Sequence, residues 1–202
     1  MTSDYYDPHP QFWLEQSLVL TGHPGSGAAH VAHTLAARTG LPFTEVERWS
    51  EAAEGRSRAR VAVEDGSEAL RTLDAGSVER ALARQPRGFI SLGSGCLEDA
   101  ATRARVVESS CLVFLRRPVE VLFRRITDQL EKAPGQIVEF LAGPPASPEA
   151  LADWLRGRAA VEASAHAFIE GGDRHASRVA DEILASLSRL TGVTRAGSGG
   201  PG

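Results

Sequence analysis

Apolar positions along this chain alternate between two spacings. SLVLT, GFISLG and SSCLVFL are short apolar runs of strand length with no polar face, as expected of strands covered on both sides. Between them the apolar residues recur at helical spacing. Val31, Ala32, Leu35 and Ala36 predict a helix ended by Gly40, and Ala69, Leu70, Leu73, Val78 and Leu82 predict a long one over 67–83. Further helices are predicted over 49–55, 119–130 and 177–190. Ser147-Pro148-Glu149 reads as a helix start, a serine cap before proline at the first helical position, opening a helix through Leu151, Leu155 and Val161. LPFTEVE reads as a further short strand. Strands alternating with helices predict an α/β fold of three layers, a mostly parallel sheet with helices on both faces.

The organisation follows from the same pattern. Residues 17–191 are expected to form one domain, a size usual for this class. Residues 1–16, with Tyr5, Tyr6, Phe12 and Trp13 among Asp and Pro, read as an arm that docks on its own domain, docks on a partner protein, or is disordered. Residues 192–202, rich in glycine and serine, read as a flexible tail.

Composition removes several function classes. A net charge of −4 offers no basic footprint for nucleic acid. No run of about 18 apolar residues proposes a membrane span, and the acidic, polar start MTSDYYDPHP is unlike a secretory signal. Cys96 and Cys111 lack metal-ligand spacing and suit a reducing cytoplasm, so no metal site is expected from them. Lys132 is the only lysine in the chain. A GC-rich genome explains that bias, but it also leaves almost no lysine for chemistry.

Lysine matters because of TGHPGSGAAH, residues 21–30. Gly22, Gly25 and Gly27 follow a predicted strand and precede a predicted helix, the context of a phosphate-binding loop. Such a loop, G-x-x-x-x-G-K-[ST], continues with lysine and a hydroxyl. Here Ala28 and Ala29 stand in those places. The backbone amides that cradle an anion are retained, while the side chains that carry charge are gone. His30, which follows, reads either as a substitute ligand or as a surface histidine.

The order of motifs resembles the shikimate kinase family, a branch of the P-loop kinases. GHPGSGAAHVAHTLAARTGLPF is similar to that family's P-loop, first helix and second-strand entry; GSEALRTLD to its G-E-x-x-F-R-x-x-E helix; SLGSGC to its S-L-G-G-G-A turn; and LVFLRRPVEVLFRRI to a strand and the helix after it. The resemblance covers nearly the whole of 17–190 and implies the P-loop kinase fold. It also implies ATP and Mg²⁺ as cofactors and a small carboxylate as acceptor.

This sequence departs from the family on the phosphate side. Besides Ala28 and Ala29, the lid arginine of an R-P-L-L motif is absent, with Val138 and Glu139 in QIVEFLAG where arginine and proline would stand. Loss of one charge-stabilising group costs about 3–4 kcal/mol of transition-state stabilisation. Gly22, Gly25, Gly27 and Arg125 therefore read as a vestigial phosphate site, without catalytic residues and without a cofactor.

The acceptor side is kept in part. Glu45 and Glu47 replace two aspartates spaced D-x-D, of which the resemblance implies that one serves magnesium and the other the acceptor hydroxyls. Strand alternation would aim both at one pocket. Arg71 and Arg158 match two arginines that the resemblance assigns to the acceptor's carboxylate, and both also read as solvated helix arginines. Gly93 and Gly95 keep the outer glycines of the triple-glycine turn, with Ser94 between them. The expectation is a shikimate-kinase-like pseudokinase that binds a small molecule or a partner. The alternative is an active ATP-dependent kinase with its charge supplied by Lys132 or Arg125.

Overall fold

A computed structural model describes residues 13–133 and 137–191 of the chain. The sheet has five parallel strands in the order β2-β3-β1-β4-β5: β1 Ser17–Thr21, β2 Phe43–Glu45, β3 Phe89–Ser91, β4 Ser110–Arg116 and β5 Ala167–Glu170. The helices are α1 Ala28–Thr39, α2 Val46–Glu54, α3 Arg58–Glu64, α4 Gly66–Leu82, α5 Ala100–Ser109, α6 Val119–Lys132, α7 Pro148–Arg156, α8 Ala159–Ala163 and α9 Ala176–Thr191. Short 3-10 turns cover Ser94–Leu97 and Val138–Phe140.

The apolar runs behave as two-faced strands. Leu18 and Leu20 of β1, with Val113 and Leu115 of β4, pack under α1 and α9. Val19, Leu112 and Phe114 point to the other face, against α4, α5 and α8. Side chains alternate across a strand, so a run apolar at every position can cover both layers. A third cluster joins α6 to α7 through Leu122, Ile126, Ile137, Phe140 and Leu151. It ties the turn Val138–Phe140 to α6 and α7.

Several expectations change. LPFTEVE is strand only to Glu45; Val46 and Glu47 already belong to α2, because Glu45 is the N-cap of that helix. The argument that alternation aims Glu45 and Glu47 together therefore does not apply. The predicted helix after Pro148 does start there, with Ser147 Oγ accepting from the Ala150 amide, but it stops at Gly157, and Val161 lies in the separate α8. The apolar spacing does not predict α3, α5 or β5. α3 and β5 are short, which leaves little periodicity to recognise. Tyr5, Tyr6 and Phe12 lie outside the described residues, as does 192–202; Trp13 is exposed and Leu14 is buried in the core. No described helix is long and apolar enough to cross a membrane.

Candidate functional site

The carboxyl ends of β1, β2 and β3 converge on a cavity of about 210 Å³, where open parallel sheets collect ligands. Its floor is the loop 22–27 and the start of α1; its walls are Glu45, Glu47, Arg58, Gly93, Ser94 and Glu139.

The glycine loop is built as its spacing predicts. Gly25 and Gly27 have φ of +80° and +79°, a left-handed conformation that side chains resist. At Gly22 the constraint is space, since a Cβ would lie 2.6 Å from Ser26 Oγ and 2.7 Å from the Leu115 carbonyl oxygen. Gly27 caps α1 without any side-chain bond, so the helix opens with free amides and its positive dipole end toward the cavity. Ala28 and Ala29 line that opening and add no charge.

Arginines surround the loop from outside. Arg117 is buried and donates through Nε to the Ser26 carbonyl and through Nη1 to the carbonyls of Gly172 at 2.7 Å and Arg174 at 3.2 Å. Burial, helped by the nearby Arg125, lowers its pKa to about 10, so it remains charged at neutral pH. Arg125 lies over Gly27, its Nη1 3.6 Å from where a Cβ would stand, and reaches Asp173 at 3.4 Å. Arg124 pairs with the same Asp173 at 2.8 Å, tying α6 to the loop after β5. The structure thus brings Gly22, Gly25, Gly27 and Arg125 together. His30 and Lys132 are exposed, and neither lines the cavity.

His23, in the same loop, was not singled out from sequence. It is buried, packed edge-on against Phe114 at 5.0 Å, with Nε2 3.7 Å from Glu162. Burial lowers its pKa despite the attraction of Glu162, so it is neutral at physiological pH. Its Nδ1 and the hydroxyls of Thr21 and Ser91, all at the same strand ends, have no hydrogen-bond partner among the described residues.

On the acceptor side the carboxylate of Glu47 accepts from the Gly93 amide. Burial raises its pKa to about 7; Arg58 and the Gly93 bond pull it down, and Asp74 pushes it up. Glu45 also lines the cavity, with Arg48 3.9 Å away. Arg71 does not line it. It sits on the exposed face of α4, paired with Glu68 one turn earlier. The expectation that Arg71 shares a cavity with Glu47 is therefore corrected.

Arg58 of α3 takes the cavity-lining place instead. It grips Asp74 with two bonds, Nε–Oδ1 at 3.0 Å and Nη2–Oδ2 at 2.6 Å, both side chains almost fully buried. Burial opposes its charge, but the Asp74 hydrogen bond and the charges of Asp74 and Glu47 outweigh it and raise its pKa. The Cys96 thiol, 4.0 Å from Arg58, is held well above its usual range by burial and by Glu47 and Asp74. Sequence carried one signal for Arg58: Ser57, a serine N-cap whose side chain accepts from the Arg60 amide.

Arg158 stands behind the glycine turn. It stacks over Trp154 at 3.8 Å, pairs with Glu98, and lies 3.4 Å from Ser94 Oγ and 3.9 Å from Glu139. Gly95 faces Glu139, whose Oε1 would lie 2.7 Å from a Cβ there. Among the described residues no cluster of three His, Cys, Asp or Glu side chains is arranged to hold a metal ion.

Comparison with known proteins agrees with this fold. The family model described as Shikimate kinase matches residues 24–188. A shikimate kinase of Nitratidesulfovibrio vulgaris is 31% identical over 169 residues, 84% of this chain and 94% of that one. A shikimate kinase of Caulobacter vibrioides is 35% identical over 112 residues, so the match spans little more than half of each chain, 55% of this one and 56% of that one. Among solved structures, shikimate kinase from Acinetobacter baumannii in complex with shikimate superposes with a TM-score of 0.74 at 22% identity, covering 86% of this chain and 93% of that one. The enzyme from Aquifex aeolicus gives 0.70 at 20%, covering 85% and 96%. The chain belongs to the shikimate kinase family.

Proposed function

We propose that this member of the family binds a small hydroxylated carboxylic acid and has lost ordinary ATP-driven phosphoryl transfer. The observation that carries the reading is the charge of the cavity. Ala28 and Ala29 face it from the start of α1, Glu139 faces it from the turn Val138–Phe140, and Glu45 and Glu47 complete an acidic lining. Among the described residues the only arginine of that lining, Arg58, is neutralised by Asp74. Transfer of a phosphoryl group depends on cations placed where negative charge develops, and this donor set does not suit a magnesium nucleotide. The Acinetobacter neighbour, bound to shikimate, supports the small-acid ligand class. A role as a protein-docking module rests on exposed Trp13 and the aromatic arm before it.

An active kinase is the second reading, and two observations favour it. Glu47, with a pKa of about 7, is poised as a general base beside the glycine turn, and Arg125 places a cation against Gly27. One experiment separates the readings. Incubation with ATP, Mg²⁺ and shikimate is expected to give no phosphoryl transfer, while shikimate alone raises the melting temperature. Turnover above ~1 s⁻¹, abolished by Arg125→Ala, would establish the kinase.

A further inference from the structure

The glycine turn holds two carboxylates that belong to the protein itself. Glu47 is seated on Gly93, and Glu139 is seated over Gly95. We propose that Glu139 is an internal occupant of the acceptor end of the cavity, a carboxylate that competes with a ligand's carboxylate for Arg158 and leaves when a small acid binds. The proposal rests on the small-acid reading of the cavity and names its regulation.

Arg158 has partners besides Glu139. Its guanidinium is stacked on Trp154, paired with Glu98 and in contact with Ser94, and its side chain is only 12% exposed. Glu98 is the more exposed of its two carboxylates, 46% against 17% for Glu139, but it makes the direct pair. Glu139 stands off at 3.9 Å, too far for a hydrogen bond. Two carboxylates thus share one guanidinium, and the one facing the cavity holds by Coulomb attraction alone. That one is exchangeable.

The backbone delivers Glu139 on a short turn, Val138–Phe140. Ile137 and Phe140 flank it and pack into the cluster of α6 and α7. Phe140 meets Trp154 at 4.9 Å between ring centres, on the same side chain that supports Arg158. Withdrawal of Glu139 therefore disturbs a tryptophan, which makes the motion measurable. Electrostatics adds a reason to leave. Glu45, Glu47 and Glu139 already line about 210 Å³, and a ligand carboxylate beside all three is repelled unless one goes.

The test uses the full chain and shikimate as probe. Calorimetry at pH 7.5 is expected to show Glu139→Ala binding at least ~10-fold tighter than the parent, with Glu139→Gln also tighter, because the competing charge is gone. Affinity equal to or weaker than the parent in both variants overturns the proposal. A second measurement needs no ligand. In a Trp13→Phe, Trp49→Phe background, acrylamide quenching of Trp154 fluorescence is expected to rise in Glu139→Ala. If no protein binds shikimate and quenching still rises, the small-acid reading fails while the tie of Glu139 to the Trp154–Arg158 stack stands. Unchanged quenching with no gain in affinity overturns the occupant outright.

Discussion

Glu47 and Gly93, 46 residues apart, form one unit: the Gly93 amide donates to the Glu47 carboxylate, and a Cβ on Gly93 would overlap that oxygen. The arrangement keeps a carboxyl in a buried place where its charge is disfavoured, with a folded-state pKa of about 7 against 4.5 outside.

Stability should therefore depend on pH through Glu47. Between about 4.5 and 7 the native state keeps a proton that the unfolded chain has lost, so stability from this group falls as pH rises and levels off above 7. The difference between the parent and Glu47→Gln, followed by urea unfolding from pH 5 to 8, should decline by about 2–3 kcal/mol. A flat difference would mean that Glu47 titrates normally.

Arg58 and Arg71 should behave oppositely on truncation. Removing Arg58 leaves Asp74, whose side chain is 7% exposed, charged and unpaired, at a cost of about 3–5 kcal/mol. Arg71→Ala, on the solvent face with Glu68, should stay within about 0.5 kcal/mol. Chemical denaturation of both variants checks the ranking. A costly Arg71→Ala would mean that its side chain turns inward in solution.

The glycine loop gives a graded prediction. Gly25→Ala is strained by its φ of +80° and brings Cβ to 3.0 Å from the Leu122 carbonyl oxygen, whereas Gly27→Ala is strained by φ alone. Thermal unfolding should show Gly27→Ala about 1–2 kcal/mol less stable than the parent and Gly25→Ala worse still.

Ala28→Lys with Ala29→Ser should create measurable ATP affinity, because the cradle of amides at the start of α1 is already formed. Both residues are tolerable in a first helical turn, and the fold should persist. Isothermal calorimetry without any gain would show that the acidic wall of Glu45, Glu47 and Glu139 outweighs one restored lysine.

The sequence by itself determined the layers and the loop. Two-faced apolar strands such as β4 and the helical spacing after Ala28 each follow from local periodicity, and the left-handed Gly25 and Gly27 from their place between a strand and a helix. Such features are decided by neighbours within a turn or a pleat, so their signal is written locally. Which arginine enters the cavity was decided only by tertiary structure. Arg58 and Arg71 sit on successive helices, and nothing in their spacing distinguishes the one that meets Asp74 from the one that meets Glu68. The same holds for Glu139, which reaches Gly95 across 44 residues of chain, and for His23, which becomes buried because Phe114 lies beside it. A charged side chain pays to lose water unless a partner waits at the other end, and that partner is chosen by how the helices pack over the sheet.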